Sequence, residues 1–234
     1  MEPSVTPPTQ DLNLVDKLIL LAIDDEKGNF VSNSMVFCFC QAGAILFELS
    51  MKKRVTIVDS TVKVVNSEKL NEPALDHCLE LIAKSKKDRK MRYWLEVIGE
   101  KGSSLRKMTV SKLVSLGILT EKENKFLWVF KLKNYPTKNE VPEQTLRQRL
   151  HDIVLHKAKT EDDLVMLISL VDACGLNKEV YGKEMAKEKA AEIKKIIKEY
   201  QFADATGKQI KELHEVIIAM LVVLITTSTV LTNS

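Results

Sequence analysis

The run Lys101-Gly102-Ser103-Ser104-Leu105-Arg106-Lys107 combines the ingredients of an anion site. A glycine and two serines lead into an apolar-periodic stretch, so the run predicts a helix over Leu105–Leu116 with Ser103 or Ser104 as its cap. The first N–H groups of a helix have no partner inside it and carry the positive end of its dipole, and both features favour a phosphate. Arg106 adds a planar fork of donors, and Lys101 and Lys107 add point charge. Between Lys84 and Lys112 ten basic residues face three acidic ones, a local +7 within a chain of net charge +3, so the remainder sums to −4. A basic patch on a near-neutral chain suits local anion recognition rather than broad adhesion. The Lys/Arg cluster at 84–92 reads equally as a solvated linker face.

Other chemistries lack their residues. No Gly-x-Ser-x-Gly, P-loop or Gly-x-Gly-x-x-Gly motif occurs. The pairs Asp24/Asp25 and Asp162/Asp163 fall in turn or capping positions. Cys38, Cys40, Cys78 and Cys174 have no zinc spacing to one another or to the four histidines, and read as buried thiols of a reducing compartment. The expectation is a non-enzyme with no catalytic residue, metal or cofactor. The 234 residues are 45% hydrophobic and 29% charged, which excludes a disordered chain, a collagen and a disulfide scaffold.

A second chemical feature is apolar. Phe126-Leu127-Trp128-Val129-Phe130 is bracketed by Lys122, Lys125, Lys131 and Lys133. Alternate side chains of a strand face opposite ways, so one face is left apolar and exposed unless both are covered. Trp with flanking Lys suits a membrane interface, and the same patch suits a second copy of the chain.

The elements that must position these residues are mostly helical. Leu12–Ile23, capped by Asp11, and Ser34–Leu49 read as helices apolar round most of their circumference. Arg54–Val58 and Thr61–Val65 alternate about Asp59-Ser60 and predict a hairpin. Pro73–Ser85, Met91–Ile98 and Leu105–Leu116 follow, the last closed by Gly117. Ile118–Thr120 and Lys125–Lys133, flanking Glu121–Asn124, predict a second hairpin. Glu143–Lys157, Glu161–Cys174 (capped by Thr160), Lys178–Tyr200 and Lys208–Thr227 complete the chain. Residues 1–11 are polar, proline-rich and free of Lys and Arg, and predict a flexible tail without a signal peptide. Val216–Ser234 carries no charge; its ten-residue apolar run falls short of the roughly 20 residues of a bilayer span and predicts a buried helix over a tail anchor. The fold expected is mainly α: one helical domain, 12–234, around a central apolar C-terminal helix, with two small β-hairpins.

Several segments, in order, resemble the Golgi phosphoprotein 3 family. Leu14-Val-Asp-Lys-Leu-Ile-Leu-Leu-Ala-Ile-Asp-Asp-Glu-Lys-Gly28 is similar to its opening helix and turn, and Gly43-Ala-Ile-Leu-Phe-Glu-Leu49 through Arg54-Val55 to its second helix and strand. Trp94-Leu-Glu-Val-Ile-Gly-Glu100 resembles a Trp-Ile-Glu-Leu-Leu-Ser-Gly-Glu segment with one residue deleted. Leu113-Val-Ser-Leu-Gly-Ile-Leu-Thr120, Asn124-Lys-Phe-Leu127, Arg147-Gln-Arg-Leu150 and Leu164–Leu176 match later parts. The resemblance implies a helical domain and a peripheral membrane protein that binds phosphatidylinositol 4-phosphate in a basic pocket. It implies an apolar hairpin that touches the bilayer or a second copy, and, in eukaryotes, a link between Golgi glycosyltransferases and the vesicle coat. The family's pocket uses one Trp and three Arg. Their positions fall here on Asn33, Ala42, Ser103 and Arg106, so one arginine is kept, with Lys101 and Lys107 beside it. These substitutions, and a tail without Arg, fit a divergent or bacterial member.

Three readings follow. In the first, a peripheral membrane protein of the cytoplasm (the cytosolic face of the Golgi in a eukaryote) holds an anionic phospholipid headgroup with Arg106, Lys107, Ser103 and Lys101, and inserts Phe126, Leu127 and Trp128. In the second, the protein binds no phosphoinositide and is an oligomeric adaptor that uses the 118–133 hairpin as a homo-oligomer contact. In the third, the helix–hairpin pattern is a winged-helix DNA binder. The 105–116 helix offers few exposed base-reading side chains, so nucleic acid is not the expected partner.

Overall fold

The computed structural model describes residues 12–31, 35–126, 130–159, 161–199, 212–213, 215–217 and 219. Its helices are α1 (Leu14–Leu20), α2 (Met35–Met51), α3 (Pro73–Ala83), α4 (Met91–Gly99), α5 (Gly102–Ser115), α6 (Val141–Val154), α7 (Asp162–Ala173), α8 (Asn177–Tyr181), α9 (Lys183–Glu188) and α10 (Ala190–Glu199). Its strands are β1 (Val55–Val58), β2 (Thr61–Val64), β3 (Arg89–Lys90), β4 (Lys122–Phe126) and β5 (Phe130–Asn134). The mainly helical class expected from the sequence is the class observed.

The second helix organises the core. From Phe37 to Leu49 all but Cys38 are buried, including Gln41 and Glu48, so α2 presents no polar face to water. A helix apolar all round must be covered all round, and α1, α3, α4, α5 and α7 all pack on it. Residues 212–213 and 215–217 are helical, and there Leu213 and Ile217 are fully buried. Ile217 comes so close to Gly43 in the middle of α2 that a Cβ on Gly43 would lie 2.7 Å from its Cδ1. Apart from Ala219, the remainder of the apolar C-terminal run, like the proline-rich tail, lies outside the described residues.

Several element boundaries differ from the sequence reading, each for a local reason. The first helix starts at Leu14 rather than Leu12, because Asn13 and Asp16 form a capping box: the Asn13 side chain accepts from the Asp16 N–H and the Asp16 carboxylate accepts from the Asn13 N–H. The stretch expected to be one helix over Lys178–Tyr200 is three, broken at Gly182 (φ 76°, ψ 160°) and again at Lys189. Helix α7 begins after Glu161, whose side chain makes no capping hydrogen bond, and Thr160 lies outside the described residues.

Both hairpins form. Asp59 and Ser60, at φ 47° and 58°, make the left-handed tight turn between β1 and β2. Strand β3, which the sequence did not signal, adds a third strand beside β2. The second hairpin is displaced: Glu121–Asn124, expected as its turn, instead runs into β4, and β4 pairs with β5 from Lys122↔Asn134 to Phe126↔Phe130. Leu127, Trp128 and Val129 therefore fall between the strands in sequence and lie outside the described residues, as does the side chain of Phe126.

The close of α5 follows the sequence reading. Gly117, at φ 71°, donates to the Val114 carbonyl at 2.9 Å, and Ile118 donates to Leu113 at 3.0 Å, the paired bonds of a Schellman motif. A Cβ at Gly117 would meet nothing within 4 Å. Gly117→Ala is therefore expected to cost only the backbone penalty of the left-handed region, about 1 kcal/mol. Chemical denaturation of the two proteins checks this, and a cost above about 2 kcal/mol would mean that the motif carries packing as well.

Candidate functional site

The joint between α4 and α5 is where the basic run meets the core. Two glycines let it sit directly on α2: a Cβ on Gly99 would lie 2.8 Å from the Phe39 ring, and one on Gly102 would lie 2.7 Å from Cys38 Sγ. The helix then starts at Gly102, three residues earlier than expected. Lys101 occupies the cap position and makes no side-chain capping bond. Ser103 and Ser104 thus lie within the first turn rather than capping it, and the Lys101 carbonyl accepts from the Ser104 and Leu105 N–H groups at 2.9 and 3.0 Å and from the Ser104 hydroxyl at 2.8 Å.

Arg106 is half-buried one turn further on. Its guanidinium lies 4.5 Å from the Phe30 ring centroid and 5.0 Å from that of Phe37, and one Nη is 3.9 Å from Cys38 Sγ. Burial lowers its pKa from the usual arginine value, partly offset by Cys38. A guanidinium desolvated against aromatic faces keeps its charge and loses competing water, so an oxyanion reaching it is held more strongly than on open surface.

The backbone beneath Arg106 is held from α2. With Gln41 Nε2 toward Gly102, its amide donates to that carbonyl at 3.2 Å, and its oxygen accepts from the Arg106 N–H at 3.1 Å. Phe30 belongs to the turn that follows α1. Ile23 bridges Phe30, Val31 donates to Ala22 at 2.9 Å, and Tyr135 donates to the Gly28 carbonyl at 2.9 Å. Gly28, at φ 67°, is packed so tightly that a Cβ would lie 2.3 Å from the Pro136 nitrogen. Asp25 accepts from the Thr137 N–H at 3.1 Å and from its hydroxyl at 2.9 Å.

The residues singled out in the sequence are only partly brought together. Lys101 and Arg106 are half-buried at the joint, while Ser103 and Lys107 are exposed on the first turns of α5. Ala42 is fully buried inside α2, so its side chain offers a surface ligand nothing. Asn33, Leu127 and Trp128 lie outside the described residues. Phe30, Phe37, Cys38 and Gln41 are the neighbours that sequence reasoning missed. One signal was present: Gln41 and Glu48 are the polar residues in the apolar run Met35–Leu49.

Helix α5 also packs against α1, α2 and α3 and buries Leu105, Thr109, Val110 and Leu113. Its Lys112 turns inward to a second charged cluster: Nζ lies 2.5 Å from Asp16 Oδ2 and 2.7 Å from Glu72 Oε2. Burial raises the Asp16 pKa to about 6, against the opposing pull of Lys112. Among the described residues no helix is long and apolar enough to cross a membrane.

The order of helix, turn, buried helix, hairpin and jointed helices is thus the order that carried the resemblance. A model of the family described as Golgi phosphoprotein 3 (GPP34) matches residues 14–213, well over half of the chain, and the chain belongs to that family.

Proposed function

We propose that the protein is a peripheral membrane protein that holds an anionic phospholipid headgroup, with phosphatidylinositol 4-phosphate as the reference ligand, at the joint of α4 and α5. The observation that carries this reading is Arg106, half-buried against Phe30 and Phe37 and one turn from the start of α5. Arg106 takes the phosphate, and the amides of the first turn around Ser103, with Lys101 and Lys107, supply the surrounding positive potential. Phe126, Leu127 and Trp128, at the join of β4 and β5 in the sequence, supply the apolar contact with the bilayer. The folded domain begins at Leu12, and its working compartment is the cytoplasm.

Liposome co-sedimentation with and without phosphatidylinositol 4-phosphate tests this. A charge-assisted hydrogen bond contributes about 1.5–3 kcal/mol, so Arg106→Ala is expected to weaken binding to the phosphoinositide vesicles by about ten- to a hundredfold. Equal pelleting with neutral vesicles and no loss in Arg106→Ala would sink the headgroup reading.

A second reading has one observation behind it. Among the described residues strands β4 and β5 form a two-stranded sheet with no third strand, and such a ribbon is marginal unless another surface supports it. That surface can be a second copy, which makes the chain an oligomeric adaptor. Trp128→Asp decides between them within the same experiment: lost pelleting at unchanged light-scattering mass supports the bilayer contact, and a fall in mass supports the oligomer.

A further inference from the structure

We infer that Gln41 is a positioning residue for the headgroup arginine, acting through the backbone of α5; this rests on the headgroup reading of Arg106. Gln41 is 0% exposed, in a helix whose other core-facing side chains are almost all apolar. A buried amide is costly unless both its ends are bonded. With Nε2 assigned toward Gly102, the orientation in which neither end of the amide faces its own kind, both ends are bonded to one target: the amide donates to the Gly102 carbonyl at 3.2 Å and accepts from the Arg106 N–H at 3.1 Å. Those two groups stand four residues apart and close the first turn of α5. The contact is possible because Gly102 has no Cβ, which would otherwise lie 2.7 Å from Cys38 Sγ. Cys38 and Gln41 are three residues apart on α2 and so share a face, and from that face the thiol approaches the guanidinium while the amide grips its backbone. Phe30 and Phe37 then fix the side chain. Arg106 is thus located at its root by Gln41 and at its tip by two rings. A shift of the first turn by a fraction of an ångström moves the guanidinium off the phosphate while leaving the core intact.

Two variants test this in the full chain, with vesicles of phosphatidylcholine with and without phosphatidylinositol 4-phosphate. Gln41→Leu keeps the bulk and removes both bonds; it is expected to lose at least tenfold in phosphoinositide-dependent binding, measured below its melting temperature. Gln41→Glu can make both bonds only when its carboxyl is protonated, since a carboxylate cannot donate to the Gly102 carbonyl. Its binding, taken as a ratio to wild type at each pH, is expected to recover on acidification as the buried carboxyl takes up its proton. A role in stability alone would lower the melting temperature and leave that ratio flat. Should Gln41→Leu fail to fold, the ratio for Gln41→Glu still decides: a flat ratio overturns the inference. Wild-type binding by Gln41→Leu alongside a loss in Arg106→Ala also overturns it while sparing the headgroup reading, and wild-type binding by Arg106→Ala overturns both.

Discussion

Lys112→Ala is expected to lower the free energy of unfolding by about 3–5 kcal/mol, the range for breaking a buried ion pair from one side. The Lys112 ammonium reaches two carboxylates at once, Asp16 Oδ2 at 2.5 Å and Glu72 at 2.7 and 2.8 Å. The Asp16 side chain is only 2% exposed. Truncation removes the pull of Lys112 that offsets burial, so Asp16 must either carry its charge in an apolar site or take up a proton, with the Asn13 N–H at 3.0 Å as the main remaining donor. Asn13 also donates from its side chain to Glu72 at 3.2 Å, so the cap of α1 loosens along with the ion cluster. Urea denaturation of wild type, Lys112→Ala and the double variant Lys112→Met with Asp16→Asn measures the effect. The double variant is expected to recover most of the loss, because it removes the charge that the single change orphans. A single-variant loss below about 1 kcal/mol would show that water reaches Asp16.

The second large effect is one of pH. Glu143, near the start of α6, is 2% exposed, and its pKa is pushed up to about 8. Burial is the main cause and a hydrogen bond with Asp25 adds to it, while Arg147, bonded to Glu143 Oε1 at 2.8 Å through Nε, pulls the other way. The folded protein therefore holds a proton that the unfolded chain, with an ordinary glutamate pKa, has already released. Stability from this group is fully present below the unfolded value near 4.5 and is lost as pH rises through about 8. At 1.36 kcal/mol per unit the shift amounts to a loss on the order of several kcal/mol. Asp16 has the same sign, but its window closes near pH 6, so Asp16 drops out of the interval from pH 6 to 8. Thermal or denaturant unfolding across that interval is expected to show falling stability in wild type and a much flatter profile in Glu143→Gln, which stays neutral and can still donate to Asp25. Parallel profiles would mean that Glu143 is ionised in the folded state.

How much of this was legible in the sequence depends on whether a feature is written locally. The left-handed pair Asp59-Ser60, the terminator Gly117 and the continuous apolar run of α2 are each set by a few adjacent residues, and each was readable. The start of α5 was readable only in part: the glycine and serines mark it, but it begins at Gly102, and Lys101 rather than a serine takes the cap. The displaced second hairpin was not: Glu121–Asn124 has turn composition, but pairing with Leu132–Asn134 overrides local preference. Nor could spacing reveal what lies around Arg106, since Phe30 and Gln41 reach it from segments more than sixty positions away. The pairing of Lys112 with Asp16, 96 residues apart, is hidden for the same reason. A buried charge leaves a trace in sequence only as an acid within an apolar helix, which is how Asp16 stands in Leu12–Ile23.

The turn bearing Phe30 has a consequence for biosynthesis. One of its side-chain ties to a late segment, Thr137 onto Asp25, spans 112 residues. Closing so long a loop costs entropy that only the completed surroundings repay. A ribosome must therefore deliver more than half of the polypeptide before one wall of the arginine's niche can settle. The niche around Arg106 is thus completed late, when early and late segments of the chain meet.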